Sequence, residues 1–339
     1  MVWRRWPVNV KALIRRVNHT LKLHKLFPEH SRILVACSGG PDSMALLHIL
    51  QDIARHRHTK YKLGVAIVDH SIRPESKDEV LWLRNQVDTL GLPFYTTTFD
   101  VPSLSKDLKL SEETVGRQVR YQWLNEIAQS EGYDYIAVAH HKDDQAESIL
   151  AHLIRGTGLN GLTGMAVVSY DYDVPVIRPL LDVTKTELLS YLAHGKLTYC
   201  IDSTNDDVRY QRNRIRHRII PELESINPNV VDAIARLGSS VSEDLAVISN
   251  LTAQAFERLV TIDKNEMSLS RRALRKEPLA IQRRLWQCLV SSIDSDITLT
   301  TAHQEQLRDI VNTGEEKTFT IKSIKVTAQC DTIKVYCKH

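Results

Sequence analysis

The sequence predicts an α/β fold, a doubly wound parallel sheet, followed by a mainly helical second domain with a terminal β-hairpin. In the first half of the chain, short apolar β-branched runs alternate with helical patterns at intervals of roughly 30 to 40 residues, which is typical of βαβ units. Near residue 220 this alternation gives way to helical patterns. Residues 317–339 then alternate apolar and polar side chains on both sides of a short turn, as a hairpin does.

The strands of the first domain are predicted at its apolar runs, and start and stop signals place the helices between them. The strands cover residues 33–36, 63–68, 93–99, 135–139 and 176–177. One helix follows the loop at Ser43, and a second covers about residues 75–90. A third starts at Ser111, whose hydroxyl can cap it, and a fourth begins near Asp143.

Thr184 and Glu187 form a capping box for a fifth helix. Beyond it, three helical patterns with little strand signal between them cover residues 230–260, 271–290 and 300–311. We therefore predict a first domain over residues 1–224, with a basic N-terminal arm at residues 1–28, and a helical domain over residues 225–339.

Composition excludes several classes of protein. With 339 residues, 42% hydrophobic and 25% charged, the chain is neither disordered nor fibrous. No run approaches the roughly 18 apolar residues of a membrane helix, and charges interrupt the N-terminal segment where a signal peptide would be apolar. We therefore expect a cytoplasmic protein without a membrane segment. Five scattered cysteines without a CxxC pair do not favour a zinc, iron–sulfur or disulfide role.

The formal charge of +3 conceals three basic clusters. Residues 1–26 hold seven Lys or Arg and no acid, residues 209–218 hold five arginines, and residues 271–284 hold five arginines and one lysine against one glutamate. Each cluster alone is compatible with a solvated helix face. Three together favour a polyanionic partner.

The most informative stretch is ILVACSGGPDSMALL, in which an apolar strand leads into a short loop and then a helix. Gly39 and Gly40 leave backbone N–H groups unobstructed, Ser38 and Ser43 add hydroxyl donors, and the helix presents its positive end. Such a loop suits phosphate oxygens, the alternative being a tight turn that needs its glycines for geometry alone. A carboxylate at Asp42, just after Pro41, would repel a polyphosphate unless a Mg²⁺ ion lay between them.

Further polar side chains follow two other strands of the predicted sheet. Asp69 and His70 follow the second strand, and the run HHKDDQAE follows the fourth. Because the carboxyl ends of parallel strands meet at one edge of a sheet, these groups are expected to lie near the loop. Asp144 and Glu147 are three residues apart and share a helix face, where they can hold a metal or an ammonium group, or merely balance the helix dipole.

The loop resembles SGGxDS, the signature of the N-type ATP pyrophosphatase superfamily. Six further motifs occur in the order found in tRNA(Ile)-lysidine synthetases: VDHSIRPES, EETVGRQVRY, AHHKDDQAES, RGTGLNGLTGM, IRPLLDVTKTEL and DSTNDDVRYQRNRIRHRIIPEL. The resemblance covers residues 30–224. It implies an ATP- and Mg²⁺-dependent ligase that adenylates the C2 carbonyl oxygen of the wobble cytidine of tRNA(Ile) with a CAU anticodon. The ε-amine of free L-lysine then displaces AMP to give lysidine.

The resemblance also implies residue roles. Contacts with ATP fall to Ser38, Gly39, Gly40, Pro41, Asp42, Ser43, Asp69, His70 and Arg73, with Asp42 as the Mg²⁺ ligand. Contacts with lysine fall to Arg117, Arg120, Asp144 and Glu147, and catalysis to Asp42, Asp144 and Arg212. The chemistry agrees, because lysine needs a cation for its carboxylate and an anion for its amine, and an arginine can stabilise developing phosphate charge.

In the second domain, phosphate contacts with tRNA are expected from five arginines: Arg271, Arg272, Arg275, Arg283 and Arg284. Two other functions stay open, a tRNA thiolase of the same superfamily and a non-catalytic nucleotide- or tRNA-binding module. A thiolase would use catalytic cysteines or a CxxC-bound cluster, whereas Cys37 precedes the loop in a predicted buried strand and Cys200 is solitary in the sequence. The sequence leaves the oligomeric state open, with a homodimer among the alternatives.

Overall fold

The computed structural model describes residues 8–56, 61–71, 76–200, 211–264, 266–313 and 315–338. The chain forms two compact units, Met1–Ser239 and Ser240–His339. The division falls inside a long helix, Val230–Leu259, whereas the sequence places its domain boundary before this helix; that assignment stays a prediction. None of the described helices is long and apolar enough to cross a membrane.

The first unit contains a six-stranded sheet. Its strands are β1 (Arg32–Ala36), β2 (Lys62–Asp69), β3 (Phe94–Thr98), β4 (Tyr135–Ala137), β5 (Val168–Ser169) and β6 (Val176–Ile177). They lie in the order β3-β2-β1-β4-β6-β5, and every pair is parallel except the edge pair β5 and β6. The five predicted strands and the parallel sheet are confirmed, and β5 is an added two-residue edge strand.

Helices cover both faces of this sheet. They are α1 (Val8–Leu23), α2 (Pro41–His56), α3 (Ser76–Leu90), α4 (Val101–Leu108), α5 (Glu112–Ser130), α6 (Lys142–Arg155), α7 (Leu159–Leu162) and α8 (Lys185–Gly195), followed by α9 (Gln211–Arg214), a π-helical turn (Ile215–Ile219) and α10 (Ile220–Ile226). Both predicted caps are confirmed: the Ser111 hydroxyl accepts from the Thr114 N–H, and Thr184 and Glu187 cap each other.

Alternation along β1 explains the two layers of core. Ile33 and Val35 pack into a cluster that includes Tyr191 of α8, and Leu34 packs on the opposite face with Leu124 of α5. All are essentially inaccessible to solvent. A strand buried on both faces reads as a continuous apolar run, which is why β1 is so clear in the sequence.

The strand order reverses between β1 and β4. The chain leaves β1 toward β2 and β3 on one side and returns to β4 on the other. At such a switch point the connections diverge and leave a crevice beyond the carboxyl ends of the strands, which is where ligands bind in open parallel sheets. The helices that follow these two strands, α2 and α6, both begin at this crevice.

The second unit pairs helices with an antiparallel sheet. Its elements are α11 (Val230–Leu259, shared with the first unit), β7 (Thr261–Asp263), β8 (Glu266–Ser270), α12 (Arg271–Arg275), α13 (Leu279–Ser291), α14 (Thr301–Thr313), β9 (Lys317–Ile321), β10 (Ile324–Gln329) and β11 (Thr332–Cys337). The predicted hairpin is confirmed as β10 and β11, but it belongs to a five-stranded sheet ordered β7-β8-β11-β10-β9.

Two sequence expectations for the second unit are corrected. Strands β7 and β8 occupy a stretch where we expected little strand, because a run of three and one of five residues give too short an alternation to recognise. The expected helix over residues 271–290 is two helices, α12 and α13, since Pro278 has no N–H to donate and instead occupies the N-cap of α13.

Candidate active site

The loop between β1 and α2 is shaped for an anion. Gly39 adopts a φ of +79°, a conformation that favours glycine, and α2 begins at Pro41. The Ser43 hydroxyl donates to the Gly40 carbonyl oxygen at 3.0 Å and lies 3.3 Å from the Ser38 hydroxyl. The loop therefore presents hydroxyls and a helix N-terminus at the switch-point crevice.

Cys200 lies against this loop, although it is solitary in the sequence. Its N–H donates to the Gly39 carbonyl oxygen at 2.9 Å, and a Cβ on Gly39 would lie 3.7 Å from the Cys200 sulfur. Burial raises the pKa of both the Cys37 and the Cys200 thiols. A raised pKa disfavours the thiolate, which is the nucleophilic form of cysteine.

Asp42 binds two cations of the chain itself. The Lys185 ammonium lies 2.6 and 2.7 Å from its two carboxylate oxygens, and the His141 ring lies 3.7 Å away. Burial alone would raise the pKa of Asp42, but His141 and Lys185 outweigh it and hold that pKa below its usual value. The carboxylate is therefore ionised, and Lys185 brings positive charge to the phosphate loop.

His141 connects the loop to the start of α6. This buried ring lies 3.3 Å from an Asp143 oxygen and 3.5 Å from an Asp144 oxygen, besides its contact with Asp42. Burial would lower the pKa of His141, but these carboxylates raise it to about 9. Burial lowers the pKa of the neighbouring His140 to about 3, so the two adjacent rings differ in charge at neutral pH.

A buried pair of acids forms the second part of the site. Asp144 and Glu147, on the first turns of α6, are 6% and 1% exposed. Arg212 donates to Asp144 at 2.7 Å and to Glu147 at 2.8 Å. Arg216 donates to Glu147 at 2.6 and 3.0 Å and to Asp144 at 3.0 Å. Each arginine therefore bridges both carboxylates.

The charges of this cluster support one another. Burial would raise the pKa of Asp144, but His141 and Arg212 keep it below its usual value. Burial would lower the pKa of Arg212 and Arg216, and the two carboxylates raise both instead. The cluster thus holds two anions and two cations, which is how a protein tolerates buried charge.

Asp69 and His70 lie where predicted, at the end of β2. The buried Asp69 carboxylate accepts the N–H of Ser71 at 2.8 Å, which holds the turn after the strand. Burial and nearby Arg120 lower the pKa of His70 to about 4, so this ring is neutral at pH 7. The predicted nucleotide contact at Arg73 lies outside the described residues.

Arg117 and Arg120 lie on α5 beside an aromatic pair. Their guanidinium carbons lie 4.8 and 5.3 Å from the centre of the Tyr121 ring, which stacks on Tyr172 with centroids 5.6 Å apart. Arg212 is among the charges that lower the pKa of Arg120, after burial itself. Arg120 is therefore within electrostatic range of Arg212, one of the arginines on the acid pair, and Arg117 is exposed.

The glycine-rich loop after α6 is held at its far end. Gln145 donates to the Met165 carbonyl oxygen at 2.8 Å and accepts the Met165 N–H at 2.6 Å. Gly164 has a φ of +67°, and a Cβ there would lie 2.5 Å from the Gln145 oxygen. The sequence leaves open a mobile or a tightly folded loop, and this end of it is tightly folded.

The arginines predicted to meet tRNA lie in different settings. Arg271 is 3% exposed and donates to the Glu315 carbonyl oxygen at 2.8 Å. Arg275 donates to two carbonyl oxygens near the end of α14, at 2.6 and 2.7 Å. Arg275 thus supplies donors to the last carbonyls of α14, which have no partner within the helix, and Arg271 holds the chain beyond that helix. Arg272 and Arg283 are exposed.

Together, these contacts place the loop from Ser38 to Ser43 beside the buried pair of acids Asp144 and Glu147. His141 contacts an acid of each part, Asp42 and Asp144. Three members of the site were not among the site residues predicted from the sequence: Lys185, His141 and Arg216. The four-residue spacing of Arg212 and Arg216 on a helical stretch is the one local signal that could have identified Arg216.

The PP-loop domain family matches residues 11–223, a range that includes the whole of this site. The tRNA(Ile)-lysidine synthase of Porphyromonas gingivalis is 35% identical over 79% of this chain and 56% of that protein. The tRNA(Ile)-lysidine synthase of a Nostoc species is 31% identical, and the match covers 87% of this chain and 86% of that protein. The chain belongs to the PP-loop domain family and, within it, to the tRNA(Ile)-lysidine synthase family.

Coverage differs among the relatives. The chain spans 56% of the Porphyromonas gingivalis protein and 56% of the 38% identical relative from Thermosipho africanus, little more than half of their length. A solved U34-tRNA thiolase from Methanococcus maripaludis, with its 4Fe-4S cluster, matches 69% of this chain and 80% of its own with a TM-score of 0.59. At 19% identity that likeness concerns the fold.

Proposed function

We propose that the chain is the ATP-dependent ligase that converts the wobble cytidine of tRNA(Ile) with a CAU anticodon to lysidine. The C2 carbonyl oxygen attacks the α-phosphate of ATP and pyrophosphate leaves. The ε-amine of L-lysine then attacks C2, and AMP leaves with that oxygen. The observation that carries the proposal is the phosphate loop lying beside the buried pair Asp144 and Glu147, with His141 in contact with both parts.

ATP would bind with its phosphates on the loop from Ser38 to Ser43. Lys185, now paired with Asp42, supplies an ammonium that can turn to a phosphate oxygen. Asp42 fits a Mg²⁺ ion in chemistry, because Mg²⁺ usually takes one or two carboxylates together with substrate phosphates and waters. Bound there, the ion would neutralise phosphate charge. Asp69 and the neutral His70 would line the nucleotide.

Lysine would bind between the acid pair and Arg120. The carboxylates of Asp144 and Glu147 suit its ammonium groups, and the guanidinium of Arg120 suits its carboxylate. The ε-amine must lose its proton before attack, and Asp144 would orient it and accept that proton. Arg212 would stabilise the charge that develops on the phosphate during adenylation.

The thiolase alternative is less well supported. A thiolase needs a cysteine thiolate or a cluster ligand, and Cys200 does lie against the loop. However, burial raises its pKa and that of Cys37, which works against a thiolate at neutral pH. A non-catalytic module would not need the acid pair to lie beside the phosphate loop.

One assay separates these functions. Purified protein is incubated with Mg·ATP, radiolabelled lysine and a tRNA(Ile) transcript carrying the CAU anticodon. We expect label in the tRNA with AMP and pyrophosphate released, and no incorporation into the same transcript with a UAU anticodon. Sulfur transfer in place of lysine, or ATP binding without turnover, would refute the proposed function.

A further inference from the structure

The acid pair is already occupied by cations of the chain itself. Asp144 and Glu147 accept five hydrogen bonds of 2.6 to 3.0 Å from Arg212 and Arg216. The same carboxylates are those assigned above to the ammonium groups of lysine. Two carboxylates saturated by two bridging guanidiniums offer little to a further cation, so one guanidinium has to leave when an amine arrives.

We propose that Arg216 is an internal competitor for the amino-acid substrate, a residue that lysine displaces from Asp144 and Glu147. This inference rests on the proposed function. It concerns how lysine binds to the acid pair, and it adds no step to the reaction.

Both guanidiniums are accessible enough to leave, and the backbone favours Arg216. The side chains of Arg212 and Arg216 are 39% and 33% exposed, while those of Asp144 and Glu147 are 9% and 1% exposed. A guanidinium already in partial contact with water can be rehydrated as it moves, whereas the acids stay in place. Arg212 then remains paired with the two acids.

The backbone at Arg216 also suits a change of position. Arg216 lies in the π-helical turn Ile215–Ile219, between the α-helical segments α9 and α10. A π-turn holds one extra residue, and such turns are frequently found at functional sites. Tightening it to an α-helix would rotate the residues before it against those after it, and so move Arg216 relative to Arg212.

Charge balance allows the exchange with lysine. Free lysine carries a net charge of +1, from two ammonium groups and one carboxylate, and it therefore replaces the single charge of Arg216 without leaving a buried acid unpaired. Norleucine, which has the same chain length but no ε-amine, carries no net charge. Its exchange for Arg216 would lower the net charge of the site by one, so it should bind more weakly than lysine.

The test measures lysine binding to the full chain in the absence of tRNA, by calorimetry with saturating Mg·ATP analogue. We expect Arg216→Gln to lower the Kd for lysine by about tenfold, the factor expected if the internal pair is closed about 90% of the time in the wild type. Arg216→Lys keeps a cation with fewer donors, so its Kd for lysine should lie between those of the wild type and Arg216→Gln. Norleucine should bind more weakly than lysine to both proteins and gain about the same factor from Arg216→Gln.

Arg218→Gln is the matched control. Arg218 lies in the same π-turn and is exposed, so this variant removes the same charge without touching the acids, and its lysine Kd should equal that of the wild type. ATP-analogue affinity and Tm show that each variant is folded. An unchanged or raised lysine Kd in folded Arg216→Gln or Arg216→Lys would overturn the inference while leaving the proposed function intact. A wild-type chain that binds no lysine would overturn both.

Discussion

Replacement of Asp144 by asparagine tests the assignment of the lysine site most directly. The amide side chain would keep the shape of the carboxylate and one of its oxygens, but lose the charge that pairs with Arg212, Arg216 and His141. We expect lysine use to suffer far more than ATP binding, because Asp144 lies on the α6 side of His141 while the proposed phosphate site is the loop before α2.

The magnitude follows from the contacts. A charge-assisted hydrogen bond contributes about 1.5 to 3 kcal/mol, so kcat/KM for lysine should fall by roughly 10- to 150-fold. Breaking a fully buried ion pair costs about 3 to 5 kcal/mol, but here both arginines are a third or more exposed and can be hydrated, so a loss of about 1 to 2 kcal/mol of folding stability is expected.

The assay is single-turnover lysine incorporation at varied lysine concentration, together with the Kd of a Mg·ATP analogue. Asp173→Asn is a suitable control, since Asp173 is an exposed acid of the same unit that contacts Asn125 and not the site. Lysine kcat/KM should fall in Asp144→Asn alone, with the Kd of the ATP analogue changed less than about threefold. Equal losses of lysine use and ATP affinity would refute the role given to Asp144.

Three further predictions concern other parts of the chain. Lys185→Met should weaken ATP binding by about tenfold with lysine affinity little changed, because it removes a charge-assisted contact at the loop; equal effects on both ligands in equilibrium binding would contradict this. Arg272→Glu and Arg283→Glu should weaken tRNA binding and flatten its salt dependence in filter-binding titrations, whereas an unchanged slope would mean that these arginines lie off the tRNA. Because the folded-state pKa of His70 is lowered to about 4 from 6.5, protonation favours the unfolded chain, and the free energy of unfolding should decline as pH falls from 6.5 toward 4. In denaturant titrations, the free energy of unfolding of His70→Gln should decline less steeply than that of the wild type, by up to about 1 kcal/mol per pH unit. An equal decline in the two proteins would show that His70 does not titrate in this way.

The sequence identifies those parts of the site that are local in the chain. The phosphate loop is a contiguous run with a fixed pattern of Gly and Ser, and β1 before it is apolar because it is buried on both faces. Asp144 and Glu147 stand three residues apart on one helix. Each of these features is produced by neighbouring residues, and a pattern in the sequence is enough to predict it.

Partners that come from distant segments could not be predicted in this way. Lys185 pairs with an acid 143 residues earlier in the chain, and Arg216 with one 69 residues earlier. No periodicity links such positions; only the folded sheet brings them together. The five arginines of the second unit show the converse, since Arg271 and Arg275 match the pattern of a basic face, yet Arg275 donates to the end of α14 and Arg271 to the carbonyl oxygen of Glu315 beyond it.

The shared contact at His141 has a consequence for the two substrates. Its ring contacts Asp42 on the proposed phosphate side and Asp144 on the proposed lysine side, and it also contacts Asp143. A ligand that engages either acid changes the charges around the same ring, so ATP and lysine should not bind independently. Linkage requires each to change the affinity of the other by the same factor.

That coupling can be measured without turnover. The lysine Kd is determined with and without a Mg·ATP analogue, and the analogue Kd with and without lysine; the two ratios should agree and differ from one. His141→Gln keeps a polar side chain but removes the charge, so the coupling should fall toward a factor of one while Asp173→Asn retains it. Equal lysine affinity with and without the analogue in the wild type would show that the buried ring separates the two sites instead of joining them.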